Sequence, residues 1–170
     1  MNGLDLLETE RLVLSGWRMD QLDDLVRLHG DPRVSTYLSA SGEPWTRERC
    51  ARSLAHWIEL FDTQRMGKLR AVRKADGVLV GRAGFSLYGG EPEIGYALYP
   101  EFRGHGYATE AAAGLRDWIF RDTKWDHFIG FADMRNAASR KILRGIGMRE
   151  TYVADYEGAA CQFHVLDKTR

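Results

Sequence analysis

The sequence predicts an α/β (α+β) fold in which helices cover both faces of a mixed β-sheet. Two observations support this class. The first half of the chain holds strand-like runs joined by short turns, which indicates an antiparallel meander. The second half holds a strand–helix–strand unit, which is typical of parallel pairing. The 170 residues, 44% of them hydrophobic, suit one domain with a substantial core, and we expect that domain to span residues 1–170.

The first half of the chain should form a series of strands interrupted by helices. The strands are predicted at residues 11–17, 69–73, 78–87 and 93–99. Asp20 is a suitable N-cap for a first helix, and Thr46 for a longer one whose apolar residues recur at helical spacing. A short helix is expected around residues 34–38. Asp76-Gly77 is a strong signal for a hairpin between the strands that flank it.

The second half begins with a glycine-containing turn and an amphipathic helix. The helix has an apolar face formed by Ala108, Ala111, Ala112, Leu115, Trp118 and Ile119. A strand at residues 128–132 and a helix at 136–146 should follow, with Gly147 as the C-cap of that helix. Strands at 151–155 and 161–166 would close the sheet as a hairpin across Glu157-Gly158.

Charge, cysteine content and hydropathy exclude several functional classes. Lys plus Arg and Asp plus Glu both number 24, so the chain has no basic excess for binding nucleic acid by bulk charge. Cys50 and Cys161 are too few for a disulfide framework or a metal cluster, and no metal is expected. No apolar run approaches the roughly 20 residues that span a bilayer. Residues 1–10 are acidic and lack a cationic start, so we expect a cytoplasmic protein without a membrane partner.

The segment Arg103-Gly104-His105-Gly106-Tyr107-Ala108 is the most informative motif. A turn with two glycines that opens a helix presents unpaired backbone N–H groups and the positive end of the helix dipole, so it predicts a phosphate site. A P-loop would need Lys-Ser or Lys-Thr after the last glycine, where this chain has Tyr107-Ala108. A dinucleotide fingerprint would need a small third residue where Thr109 lies.

Several motifs together resemble one known family. The pattern Arg-x-x-Gly-x-Ala, formed by Arg103, Gly106 and Ala108, resembles the acetyl-CoA pyrophosphate loop of the GNAT superfamily of N-acetyltransferases. Asn136-x-x-Ser139-x-x-x-Leu143-x-x-x-Gly147-Met148 resembles its second CoA-contacting helix. The segments at residues 7–14 and 31–38, with Glu93-Ile94-Gly95-Tyr96, are similar to its RimJ/RimL branch.

The resemblance implies a mostly antiparallel sheet with a splayed parallel pair, formed here by residues 94–99 and 128–132. It implies acetyl-CoA as acyl donor, with its pyrophosphate on backbone N–H groups of the turn and added charge from Arg103 or His105. It also implies that backbone near the end of the first splayed strand, together with Asn136, binds the pantetheine arm and the acetyl carbonyl. The donor-binding residues implied are Ala97, Leu98, Tyr99, Arg103, Gly104, His105, Gly106, Tyr107, Ala108, Thr109, Asn136 and Ser139.

Catalysis would require groups that take a proton from the acceptor amine and give one to the leaving thiolate. Glu93, at the start of its predicted strand, is the best candidate for the base, and Glu110 is a weaker one because a first-turn carboxylate already complements the helix dipole. Many GNAT enzymes use a Tyr as acid where this chain has Leu143. The resemblance to the RimJ/RimL branch implies Ser139 instead. Positioning of the two reactants alone is the alternative for both steps.

The sequence therefore predicts an N-acetyltransferase that moves the acetyl group of acetyl-CoA to a primary amine by direct attack. The acceptor would be a protein N-terminal amine or a small-molecule amine. The protein would act as a monomer or a homodimer. A non-catalytic acyl-CoA-binding or sensing domain is the alternative, since the chain lacks the usual Tyr at position 143.

Overall fold

A computed structural model describes residues 3–169; residues 1, 2 and 170, which the single-domain prediction includes, lie outside the described residues. The strands are β1 (Asp5–Glu8), β2 (Leu12–Ser15), β3 (Gly67–Arg73), β4 (Leu79–Tyr88), β5 (Glu91–Leu98), β6 (His127–Asp133), β7 (Arg149–Tyr156) and β8 (Ala159–Asp167). The α-helices are α1 (Leu22–His29), α2 (Pro32–Ser35), α3 (Arg47–Gln64), α4 (Tyr107–Asp122) and α5 (Ala137–Gly145). None of these helices combines the length and apolar character needed to cross a membrane.

The strands form one 8-stranded sheet in the order β1-β2-β3-β4-β5-β6-β8-β7. Its pairs are antiparallel except for β5 and β6, so the predicted mixed, mostly antiparallel sheet is confirmed. The parallel pairing covers only Glu93 with Ile129 and Ile94 with Gly130. Beyond these residues β5 runs on to Leu98 and β6 to Asp133 without pairing to each other, which is the predicted splay.

The core consists mainly of two apolar clusters on opposite faces of the sheet. Leu115 of α4 belongs to the larger cluster, and Leu25 of α1 with Leu54 of α3 to the second. Ile94 packs into the first cluster and Ala97, three residues further along β5, packs against the second. Since alternate residues of a strand face opposite sides, helices cover both faces of the sheet, as predicted.

The sequence located the N-cap of α3, but two other predicted caps differ from the structure. The C-cap of α5 is Ile146, and Gly147, which was predicted as the cap, follows it with φ of +103°. Thr46 caps α3 by accepting a hydrogen bond from Arg49 N at 3.1 Å, and Asn136 caps α5. The prediction for Asp20 was wrong. A 3₁₀ turn at Met19–Gln21 precedes α1, Gln21 is the cap residue, and the Asp20 carboxylate pairs with Arg18 instead.

Three further differences from the sequence prediction affect the description of the fold. β1 was not predicted, because a four-residue edge strand with a bulge carries little periodic signal. The short helix begins at Pro32, capped by Asp31, because proline suits a first helical turn. β5 begins at Glu91, so Glu93 is its third residue and does not open the strand.

Candidate functional site

The glycine turn before α4 leaves a run of backbone N–H groups without hydrogen-bond partners in the described part of the chain. Gly104 and Gly106 both adopt φ of +81°, a left-handed conformation that side-chain-bearing residues rarely adopt. Gly106 is the N-cap of the 16-residue helix α4 and has no side-chain cap bond. Within the described residues, the N–H groups from Gly104 to Thr109 donate no hydrogen bond. The first N–H group of α4 that donates one is that of Glu110, to Gly106 O at 3.0 Å. Such a convergence of donors binds anions, phosphate above all.

Glu110 holds this turn against the β1–β2 connection. Its carboxylate accepts hydrogen bonds from Arg11 N at 2.8 Å, from Arg11 Nε at 2.7 Å and from the Thr9 hydroxyl. The Arg11 guanidinium in turn lies 4.4 Å above the Tyr107 ring. Burial raises the pKa of Glu110, but the hydrogen bonds from Thr9 and Arg11 outweigh this effect and lower it below its usual value. Glu110 is therefore fully engaged in structure and is a poor candidate for a base.

A cleft of about 620 Å³ extends from this turn between β5 and α5. We call it the turn cleft. It is lined by residues of α2 and its following loop, the end of β5, the turn and α5, among them Arg33, Tyr37, Leu38, Tyr96, Ala97, Leu98, Arg103, Gly104, Gly106, Tyr107, Ala108, Thr109, Asn136, Ser139 and Ile142. Most of the predicted donor-binding residues thus lie in one cleft.

Two of the predicted donor-binding residues lie outside the turn cleft. The Tyr99 side chain is in the core, and its backbone N–H donates to Val80 O of β4 at 3.0 Å. Since N–H groups alternate sides along a strand, those of Tyr96 and Leu98 face the gap beside β6. His105 is exposed, with its ring centroid 6.0 Å from that of Tyr107, and it does not line the cleft. Arg103 does line it, and its guanidinium donates to Arg33 O at 2.9 Å.

Asn136 performs its capping role within the cleft wall. Its side-chain oxygen accepts a hydrogen bond from Ser139 N at 3.1 Å. This leaves the amide NH₂ group of Asn136 unused among the described residues, at the lip of the cleft. The cap and a ligand contact are therefore compatible.

A second cavity of about 300 Å³ adjoins the turn cleft, and we call it the Glu93 cavity. The two share Tyr37, Leu38, Tyr96, Asn136 and Ser139 as walls. Glu93 lies on the α3 face of β5, whereas Tyr96, three residues on, lies on the α4 face. The gap between the splayed strands joins the two faces, so a molecule bound on one side of the sheet can meet a molecule bound on the other.

Lys68 of β3 forms a buried ion pair with Glu93. Its ammonium lies 2.7 Å from Glu93 Oε2 and also donates to the carbonyl oxygens of Glu93 at 3.0 Å and Gly84 at 3.4 Å. Burial lowers the pKa of Lys68, and the Glu93 charge opposes this effect. A Cβ atom at Gly95 would stand 2.7 Å from Lys68 Nζ, so glycine there leaves room for the ammonium. Sequence reasoning found Glu93 but missed Lys68.

Ser139 is hydrogen-bonded to Tyr96, a residue that sequence reasoning did not assign a role. The two hydroxyl oxygens are 3.0 Å apart, and the Tyr96 hydroxyl also lies 3.2 Å from Ser139 O. Burial raises the pKa of Tyr96 to about 12, so the phenol keeps its proton at neutral pH. The signal available in the sequence was the position of Tyr96, an aromatic residue with a polar tip at the point where the predicted strands splay.

Comparison with known proteins agrees with this architecture. The acetyltransferase (GNAT) domain family matches residues 11–149. The uncharacterized N-acetyltransferase p20 of Bacillus licheniformis is 27% identical over 161 residues, which cover 92% of this chain and 89% of that protein.

Solved structures share the fold at lower identity. An acetyltransferase from Agrobacterium tumefaciens strain C58 has a TM-score of 0.83 and 24% identity, with 95% of this chain and 94% of that chain covered. RimL, a ribosomal L7/L12 α-N-protein acetyltransferase solved with coenzyme A, has a TM-score of 0.81 and 15% identity, with coverage of 96% and 98%.

Proposed function

Since this chain belongs to the GNAT acetyltransferase family, we propose that it transfers the acetyl group of acetyl-CoA to a primary amine by direct attack. One observation carries the proposal: the free N–H groups of the turn open into a cleft that meets a second cavity at Tyr96 and Ser139. A two-substrate transfer needs such an arrangement, with one site for each reactant and a common wall where they meet.

The turn cleft suits the donor. The N–H groups from Gly104 to Thr109 would hold the pyrophosphate, aided by the dipole of α4 and the charge of Arg103. The pantetheine arm, which carries amides, would lie in the gap beside β5 and pair with backbone groups of Tyr96 and Leu98 that face it. The same N–H groups would polarise the acetyl carbonyl. The Asn136 amide supplies a side-chain donor from the opposite wall.

The Glu93 cavity suits the acceptor amine. An alkyl amine is protonated near pH 7 and must lose a proton to attack. Glu93 Oε2 is engaged with Lys68, whereas Oε1 makes no hydrogen bond to the described residues. Oε1 can therefore accept the proton, directly or through a water molecule. The Lys68 ammonium holds the carboxylate in place.

Ser139 would donate a proton to the departing sulfur. Its hydroxyl lies on the wall shared by both cavities. Either hydroxyl can be the donor of the hydrogen bond between Tyr96 and Ser139. In this proposal the Tyr96 phenol, which keeps its own proton, is the donor, and the Ser139 proton then points away from Tyr96. In this assignment Ser139 is the catalytic group and Tyr96 a positioning residue.

The proposal is tested by measuring thiol release from acetyl-CoA with a panel of small amines, amino acids and peptides. Thiol release that depends on an amine supports it. Binding of acetyl-CoA without transfer to any amine would instead favour the non-catalytic acyl-CoA-binding domain. A melting temperature unmoved by millimolar acetyl-CoA would contradict both, since ligand at about 100 times its dissociation constant stabilises a fold by roughly 2.7 kcal/mol.

A further inference from the structure

Among the charged side chains that line the Glu93 cavity, Arg82 alone lacks an ionised partner in the described residues. Lys68 pairs with Glu93 at 2.7 Å, Arg49 with Glu157 at 3.0 Å and Asp133 with Arg135 at 2.7 Å. Arg82 pairs with no carboxylate, although it is only 5% exposed. The cavity therefore carries one uncompensated positive charge, and an unpaired buried charge is costly.

Among residues 3–169, Arg82 makes its one side-chain hydrogen bond through the inner nitrogen, Nε. Nε donates to His29 Nε2 at 3.0 Å, and the guanidinium carbon lies 5.3 Å from the Trp57 ring centroid. Burial, together with the positive charges of Arg82 and Arg49, holds the pKa of His29 well below its usual range. His29 is therefore neutral and accepts the hydrogen bond without adding negative charge. His29 is itself stacked on Trp45, with ring centroids 3.8 Å apart, which fixes its position.

The two terminal nitrogens of Arg82 make no hydrogen bond to residues 3–169, and neither is sealed from solvent. Arg82 lines the Glu93 cavity, so these donors meet the space within it. Burial lowers the pKa of Arg82 to about 10, which leaves it charged at neutral pH. Two parallel donors on a guanidinium match the two oxygens of a carboxylate.

We propose that the Glu93 cavity recognises an acceptor that carries a carboxylate beside its amine, with the carboxylate on the terminal nitrogens of Arg82 and the amine toward Glu93. This inference rests on the proposed acetyl transfer and names its acceptor class. Arg82 and Glu93 lie on the same face of neighbouring strands, on either side of the paired Gly84 and Gly95. A cavity of about 300 Å³ is at the small end of ligand sites, which favours a free amino acid or a related aminocarboxylate.

The test compares amino acids with their carboxamides as acceptors. The carboxamide has the less basic amine, so more of it is neutral, and chemistry alone favours it. We expect wild-type protein to prefer the carboxylate in kcat/KM by roughly 10- to 100-fold, the range of a charged hydrogen bond. Arg82→Met should abolish this preference, mainly through KM for the acceptor, and Arg82→Lys should retain part of it. Acetyl-CoA binding should be unchanged in both variants.

Arg70→Met is the matched control. Arg70 is a partly buried arginine of β3 that pairs with Asp24 at 3.9 Å and lines neither cavity, so its loss should leave the carboxylate preference intact. Equal rates for acid and carboxamide in wild type would overturn the proposal, as would a preference that survives in folded Arg82→Met. If Arg82→Met does not fold, the wild-type comparison decides alone. A kcat/KM for peptides equal to that for free amino acids would also overturn the proposal.

A binding measurement separates this inference from the proposed function. Calorimetry with an N-acetylated amino acid, in the presence of CoA, reports carboxylate recognition without turnover. Binding that is lost in Arg82→Met, with no thiol release for any amine, would support the Arg82 site and refute the transferase reading. Amine-dependent thiol release without Arg82-dependent binding of the N-acetylated amino acid would support the transferase function and refute the Arg82 site.

Discussion

Replacement of Glu93 by Gln tests the proposed base and the buried ion pair at once. The side chains of Lys68 and Glu93 are 8% and 13% exposed. Removing one partner of a buried pair typically costs about 3–5 kcal/mol. The Gln carbonyl can still accept from Lys68, and Lys68 keeps the backbone carbonyls of Glu93 and Gly84 as acceptors. We therefore expect a smaller loss in the free energy of unfolding, about 1–3 kcal/mol.

The loss in stability should depend on pH with a definite sign. Burial lowers the pKa of Lys68 below its ordinary value of 10.5, and Glu93 is the group that opposes this shift. Glu93→Gln removes that opposition, so the folded-state pKa of Lys68 falls further. Between the folded and unfolded pKa values the unfolded chain binds more protons, and stability rises with pH. Urea unfolding at several pH values up to about 10 should show a steeper rise in Glu93→Gln than in wild type.

Turnover should fall by about 10²–10⁴-fold in the same variant if Glu93 is the base. The deficit should shrink as pH rises, because more of the acceptor amine is then neutral without help. Glu150→Gln is the control: Glu150 pairs with Arg140 and Arg144 on the surface and lines neither cavity. A deficit that stays constant with pH would refute the general-base role. An unaltered pH dependence of stability would refute the reasoning about Lys68.

Three further outcomes are expected. In steady-state assays, Ser139→Ala should lower kcat with little change in acetyl-CoA binding, and Tyr96→Phe should lower kcat less. The double variant should have the same kcat as Ser139→Ala. Additive losses in the double variant would mean that Tyr96 does not act through Ser139. Gly106→Val should weaken acetyl-CoA binding in calorimetry. Gly90→Val is the control, because Gly90 has the same φ of +81° in a turn remote from the turn cleft, and it should weaken binding far less. Equal acetyl-CoA affinities in the two variants would mean that the turn is only a helix cap. Glu110→Gln should lower the free energy of unfolding by about 1–3 kcal/mol at neutral pH. Because the folded-state pKa of Glu110 is lowered, its stabilising contribution is present above about pH 4.5 and disappears as pH falls. Unfolding curves for the variant and the wild type should therefore converge in acid.

The sequence predicted those features of the fold that depend on residues close to one another along the chain. The hairpin at Asp76-Gly77, the Thr46 cap and the glycine turn before α4 follow from turn and cap chemistry, and the structure places them as expected. The pairing of Lys68 with Glu93 depends instead on the register of three strands. The link between Arg82 and His29 likewise depends on how α1 packs on the sheet.

The orientation of the Tyr99 backbone has the same origin. Sequence places Tyr99 at the end of the correct strand, but which side its N–H faces is set by pairing with β4. Tyr96 was passed over because a tyrosine in a strand is usually part of the core, and its hydroxyl gains a role only through the position of α5.

The separation of β5 from β6 creates an edge in the interior of the sheet. An ordinary edge strand exposes unpaired backbone groups at the rim, where another chain can add to it and start aggregation. Here the unpaired groups lie between two strands whose outer sides are already occupied, and α5 and the loop after α2 flank the opening. Neighbouring strands lie about 4.8 Å apart, so the opening suits a guest with the thickness of a single extended chain. Folded proteins are too thick to enter, so the sheet stays protected from self-association while it remains open to a thin, linear molecule.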